Sequence, residues 1–307
     1  MSFDANVHRQ ASLESWEEAA AGWQRQQEKL RVFAAPVSHW LIDAISPQPG
    51  QRVLDLAAGL GETGMLVAEL VAPLGGVIVS DQAEAMLVGA RARAQELGLA
   101  NVEFQVLNAE WIDLPLASVD AVVCRWAYML MADPAAALAE TRRVLRPGGR
   151  VALAVWDAIA HNPWALLPAQ ELIERGNGGG ASAPGAGAGE PGAGVGEVRA
   201  DAGAPAGQQP GPFALGDAEK LAELLEQAGF VDVRVEALDL VRRQRSFTEL
   251  WETTLDLSRS FHDAVMSRPP QEIAAIEASL AARFAPYTAA DGTLEIPART
   301  LLATAEA

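Results

Sequence analysis

Three glycines, Gly59, Gly61 and Gly64, fall in the pattern G-x-G-x-x-G, with one carboxylate at Asp55 before them and another at Asp81 after them. Glycines let a backbone turn sharply and approach a ligand closely, and a helix that starts there offers free N–H groups. Asp81 lies twenty residues after Gly61, where a carboxylate closing the next strand accepts from a ribose diol. The combination points to a nucleoside-bearing cofactor; the plainer alternative is a tight strand-to-helix turn with no ligand. Asp55 bears on which cofactor. A dinucleotide presents a pyrophosphate to such a loop, and an acid in front of it would face like charge. S-adenosylmethionine has no phosphate and carries a sulfonium and an ammonium, so an acid there is acceptable or useful.

The loop needs a strand before it and a helix behind it, and the hydrophobic pattern supplies both. Apolar runs at 52–56, 76–80, 102–107, 119–124 and 150–156 read as strands. Between them, 63–71 (with Thr63 as cap), 83–97 and 135–145 carry helical periodicity. Apolar runs without alternation, separated by helices, imply a parallel sheet covered on both faces. Ahead of the core, 13–30 and 36–45 are helical. From Gly176 to Pro212 the chain is almost wholly Gly, Ala and Pro, which reads as a flexible linker. After it come a helix at 217–228, a strand at 231–240, helices near 247–261 and 270–284, and a last strand near 294–302. Pro297 suits an edge or a bulge there.

Several stretches resemble the class I S-adenosylmethionine-dependent methyltransferases, closest to the ubiquinone/menaquinone-biosynthesis-like group. Asp55, Ala57, Gly59 and Gly61 resemble its D-x-G-x-G signature, with Ala57 in place of the first glycine. Ser80-Asp81-Gln82 with Met86 resembles the second motif, and Asn108-Ala109-Glu110 before Leu114-Pro115 resembles the adenine-side loop. Ser118 to Val123 and Arg142 to Gly149 resemble the fourth-strand motif and the R-V-L-R-P-G-G turn before strand five. The resemblance implies a Rossmann-like α/β fold: a seven-stranded, mostly parallel sheet with an antiparallel last strand and helices on both faces. It also implies an N-terminal helical cap and a helical insertion before the last strand. The implied organisation is a cap over 1–50, a cofactor-binding core over 51–165, the linker over 176–212, and a C-terminal part over 213–307 with a substrate lid about 247–286. S-adenosyl-L-methionine is the implied cofactor, held by Asp55, Ala57, Gly59, Gly61, Asp81, Gln82, Met86, Asn108, Ala109, Glu110 and Arg125. A small-molecule methyl acceptor is the implied partner.

Two residues have roles that stay open. His161, shortly after strand five, is a candidate catalytic base or a solvated loop histidine. Arg125 is placed to meet the methionine carboxylate or an acidic substrate, or to act as a surface or capping arginine. Among Trp16, Trp23, Trp111, Trp126 and Trp164, one or two suit an aromatic lid, the others plain core.

Composition narrows the field. A formal charge of −17 over 307 residues makes phosphate backbones and anionic lipid poor partners. The single cysteine, Cys124, sits in an apolar run and allows neither a disulfide framework nor a cysteine-clustered metal site. No two of the four histidines stand at a helical ligand spacing, so no metal is expected. The N-terminus carries no apolar secretory segment and no stretch suits a membrane span, which places the protein in the cytoplasm. An NAD-dependent oxidoreductase is the rival enzyme reading, opposed by Asp55 and by the lack of a Tyr-x-x-x-Lys pair. A cofactor-binding protein without activity is the rival of another kind.

Overall fold

Both faces of the central strands are apolar because both are covered. In the computed structural model, which describes residues 3–177 and 209–307, the strands are β1 (Arg52–Asp55), β2 (Gly76–Asp81), β3 (Val102–Val106), β4 (Val119–Arg125), β5 (Leu145–Trp156), β6 (Val231–Gln244) and β7 (Leu294–Glu306). They form one sheet in the order β3-β2-β1-β4-β5-β7-β6. All run parallel except β7, which is antiparallel to both its neighbours. The order reverses between β1 and β4, and ligands bind outside the carboxyl ends of the strands at such a switch point. Register places Asp55 beside Val79 of β2 and Val123 of β4, so Asp55, Asp81 and Arg125 end three adjacent strands.

The helices are α1 (Ala5–Arg25), α2 (Gln27–Ile45), α3 (Glu62–Val71), α4 (Glu84–Glu96), α5 (Pro134–Val144), α6 (Pro163–Leu172), α7 (Ala218–Gln227), α8 (Phe247–Leu257), α9 (Arg259–Met266) and α10 (Pro270–Phe284). One apolar core joins α2, the sheet and α7, and contains the buried Cys124. A second core, built on Trp251, Phe261, Ile276, Leu280 and Phe284, joins α6 to α8–α10 and the start of β7. None of the described helices is long and apolar enough to cross a membrane.

Several boundaries differ from the sequence reading. The N-terminal helices are longer and meet at Gln26, and Pro36 lies inside α2 rather than at its start. Thr63 does not cap α3; Gly61 occupies the cap position, and the buried Thr63 hydroxyl sits 3.1 Å from that of Ser38. The helix expected over 247–261 breaks at Ser258, whose hydroxyl accepts from the Phe261 N–H at 3.3 Å and so starts α9. Pro297 lies past the last β5 partner of β7, Thr300, where β7 has a free side as a proline needs. Most of the expected linker lies outside the described residues. By Gly211, whose N–H donates to the Met129 carbonyl at 2.9 Å, the chain is against the core.

Where α1 crosses α8 there is no room for a side chain. A Cβ on Gly22 would stand 2.3 Å from the carbonyl oxygen of Asp256. Arg25 and Gln26 clamp the same crossing by hydrogen bonds to the Asp256 carboxylate. Gly22→Val therefore lowers stability by about 1–3 kcal/mol through overpacking. Faster hydrogen exchange in α1 than in α5, measured by mass spectrometry, identifies the lesion as loss of this crossing.

Candidate functional site

The loop after β1 is shaped by two buried carboxylates. Asp55 is 2% exposed, and its Oδ2 accepts from the Gly64 N–H at 2.6 Å. A Cβ on Gly64 would lie 2.8 Å from that oxygen and 2.9 Å from Val79, so only glycine lets α3 come this close. Asp81 accepts from the Gly59 N–H at 2.9 Å and from the Ala83 N–H at 2.9 Å, tying the loop to the end of β2. Ala57 takes φ +52, a left-handed conformation that costs a non-glycine residue about 1–2 kcal/mol. The two carboxylates and their N–H donors hold it there.

These residues line a cavity that encloses about 1230 Å³ including its open mouth. Of the expected cofactor-binding set, Asp55, Ala57, Gly59, Asp81, Gln82, Met86, Asn108, Ala109, Glu110 and Arg125 all line it. Gly61 does not; its Cβ position is packed between Met65, Val79 and Ala90, so it shapes the turn from behind. Gly59 is the opposite case. At φ +56 its missing Cβ meets nothing within 4 Å, which leaves the loop open to a close-lying ligand.

Hydrogen bonding separates these residues further. The Arg125 guanidinium donates to the Ser38 hydroxyl at 2.7 Å and lies 5.5 Å from the Trp126 ring. Asn108 Oδ1 accepts from the Glu110 N–H at 2.8 Å, so this side chain also builds its own turn. The Glu110 carboxylate is used up. It accepts from Arg9 at 2.6 and 2.9 Å and from the Ala132 N–H at 2.8 Å, fastening α1 to two loops. Gln82 donates to Ser12 at 3.0 Å, and Glu17 receives the first N–H groups of α4, which has no side-chain cap of its own. The helix α1 thus straps the cavity, with His8, Arg9, Ser12, Trp16 and Trp23 in its wall. The sequence reading expected an N-terminal helical cap, and it did not specify the polar contacts by which α1 holds the cavity.

His161 is not brought together with these groups. Its Nδ1 lies 2.8 Å from Asp157 Oδ2, its side chain is 48% exposed, and it lines neither cavity described here. Trp111 is exposed on the surface. The other four tryptophans do gather at the site, around a second cavity beside the first. Trp126 stacks on Trp156 at 4.3 Å and Trp156 meets Trp164 at 4.9 Å. Trp126 sits at φ +61, held by its N–H to the Ala154 carbonyl at 2.8 Å and its Nε1 to Thr300 at 3.0 Å. Trp16, Trp23, Leu30, Trp126 and Leu130 belong to the walls of both cavities, so the two adjoin.

A family model described as a methyltransferase domain matches residues 47–176, the stretch that carries the glycine loop, Asp81, Asn108 and Arg125. Residues 47–176 are thus similar to a methyltransferase domain. Over 120 residues it is 36% identical to the aklanonic acid methyltransferase DauC of Streptomyces sp. (strain C5), covering 39% of this chain and 54% of that protein. Over 121 residues it is 36% identical to the nocamycin O-methyltransferase of Saccharothrix syringae, covering 39% of this chain and 43% of that one. The matches thus span about half the length of these curated relatives or less. The fold is shared with YcgJ of Bacillus subtilis, with TM-score 0.53 at 17% identity over 88% of this chain and 97% of that one.

The residues of the first cavity fit S-adenosylmethionine. Asp55, Glu62, Asp81 and Glu110 all line the first cavity, a set hostile to pyrophosphate and suited to a sulfonium and an ammonium. Asp81, although it already holds two N–H groups, retains lone pairs for ribose hydroxyls.

Burial raises Asp55 to about 7 and Asp81 to about 6, partly offset by the backbone N–H donors. Each then binds protons in the folded state that it has lost when unfolded, so the ligand-free protein loses stability as pH rises from about 4 to about 7. A cationic ligand favours the ionised acids and is bound more tightly as pH rises through 6 to 7. Calorimetry of S-adenosylmethionine binding in two buffers of different ionisation enthalpy should show proton release at pH 6, and Asp55→Asn should reduce it.

The two outer glycines of the loop separate packing from binding. Gly64→Ala forces a methyl onto Asp55 and costs about 1–3 kcal/mol of stability. Gly59→Val costs about 1–2 kcal/mol for the left-handed backbone alone, yet removes S-adenosylhomocysteine binding. Thermal melts and calorimetry on the pair check this, and wild-type affinity in Gly59→Val would refute the placement.

Proposed function

We propose that the protein transfers the methyl group of S-adenosyl-L-methionine, held in the first cavity, to a small organic acceptor held in the second. The observation that carries this reading is the shared wall of Trp16, Trp23, Leu30, Trp126 and Leu130, where molecules in the two cavities would meet. The bound cofactor supplies a methyl group on a sulfonium, already activated toward in-line displacement. What remains for the protein is alignment and exclusion of water. Asp81 orients the nucleoside over the open face of Gly59, Asp55 and Arg125 face the charged amino-acid end, and α1 covers both. Among the described residues no acid or base lies in the shared wall, so an acceptor nucleophile with a labile proton arrives already ionised, and we give His161 no catalytic part.

DauC and the nocamycin enzyme are named for small-molecule methylation, which agrees with a small-molecule acceptor here. The acidic charge speaks against nucleic acid, and we place the protein in the cytoplasm. Titration of S-adenosylhomocysteine should give micromolar binding, with none for NAD. Labelled S-adenosylmethionine incubated with a panel of aromatic small molecules should then yield a methylated product. Binding without turnover on any acceptor would leave a cofactor-binding protein, and absence of binding would refute the reading.

A further inference from the structure

The second cavity has a chemistry of its own. Its walls are mostly aromatic and aliphatic: Phe33, Trp126, Met129, Trp156, Trp164 and Leu257 among them. Their ring stacking leaves flat apolar surfaces. Although the protein carries seventeen net negative charges, among the described residues no Asp or Glu lines this cavity, while Lys29, Arg242 and Arg243 do. Two of those cations are already answered. Lys29 pairs with Glu249 at 3.0 Å and Arg243 with Glu295 at 3.0 Å. Among the described residues Arg242 has no ion pair, and its Nη2 is buried without a hydrogen-bond partner. Burial lowers its pKa to about 10, which leaves it charged at neutral pH. Beside it in sequence and in the wall, Gln244 is 5% exposed and its Oε1 is also buried without a partner. The Trp23 Nε1, at the junction of the cavities, is a third such atom.

Unpaired buried polar atoms cost about 1–3 kcal/mol each, more for a charge, unless a ligand answers them. Arg242 and Gln244 line the second cavity alone, away from the first. We infer that the acceptor is a flat aromatic or polycyclic carboxylate, with its ring system among Trp126, Trp156 and Trp164 and its carboxylate on Arg242. One guanidinium with, among the described residues, no second unpaired cation in the wall matches a monoanion and not a phosphate dianion. The carboxylate is the anchor and not the methylated group, because Arg242 lies off the shared wall; the nucleophilic atom is at the other end of the acceptor. Gln244 Oε1 accepts from a hydroxyl or amide beside the carboxylate. This assignment rests on the second cavity being the acceptor pocket.

The test uses the full chain saturated with S-adenosylhomocysteine, so that the first cavity is filled, and titrates 2-naphthoate and its neutral counterpart 2-naphthamide by calorimetry. The naphthoate should bind at least tenfold more tightly, the span of one charge-assisted hydrogen bond in a dry site. In Arg242→Met that preference should fall to about one, with S-adenosylhomocysteine affinity unchanged. Arg242→Lys should keep part of it. Equal binding of the two probes to wild type, binding of neither, or a preference that survives in Arg242→Met overturns the assignment. Failure of the methyltransferase reading is distinct, because it appears as failure of S-adenosylhomocysteine to bind or as absence of methyl transfer, neither of which depends on the naphthoate preference.

Discussion

The hydrogen bond from the Gly64 N–H to the buried Asp55 carboxylate is the contact on which the site depends. It joins the end of β1 to the first turn of α3 at 2.6 Å, and that distance is available only because residue 64 has no side chain. An acid this deep is costly to ionise, and the N–H groups at a helix start are what make the ionised form bearable. Once β1 and α3 are fixed, the loop between them has one course. It sends Ala57 into the left-handed region and leaves the face of Gly59 open.

Asp81 repeats the device one strand away, and the two acids set the character of the first cavity. The first cavity sets four acids against Arg9 and Arg125, whereas the second has Lys29, Arg242 and Arg243 and, among the described residues, no acid in its wall. Such a contrast between adjoining spaces suits a cationic cofactor and an anionic partner meeting at an uncharged seam. The seam is made of Trp16, Trp23, Leu30, Trp126 and Leu130, contributed by α1, α2 and the segment after β4. The strain at Trp126 is paid for by two hydrogen bonds and a ring stack, and it aims the indole between the cavities.

Much of this was legible from residue order alone, because the parts concerned are local. The strand–loop–helix around Gly59, the acid at 81 and the alternation of strand and helix all depend on residues near each other in the chain. The seven-stranded sheet with β7 antiparallel followed from the family resemblance. Contacts between distant segments were not legible. Nothing in the sequence announces that Glu110 pairs with Arg9, about a hundred positions away, so it was read as a ligand-facing residue. The sequence reading ended the sixth strand at 240 and passed over Arg242 and Gln244, which β6 carries and which line the second cavity with Thr253, Thr254 and Leu257 of α8. His161 drew notice for its type and position, and its partner Asp157 and its exposure set it apart.

The strap formed by α1 has a kinetic consequence. One helix, α1, contributes Trp16 and Trp23 to the walls of both cavities, so its movement would open both. Its latches are Arg9 to Glu110, Ser12 to Gln82 and Glu17 to the start of α4. Each is a polar contact near the surface, of about 1 kcal/mol, weak enough to break and reform on the microsecond-to-millisecond scale of such motions. The Gly22 crossing on α8 is tight and stays as the pivot. Lifting the N-terminal half of α1 would unseal both chambers at once, so whatever the two cavities hold would leave through the same opening.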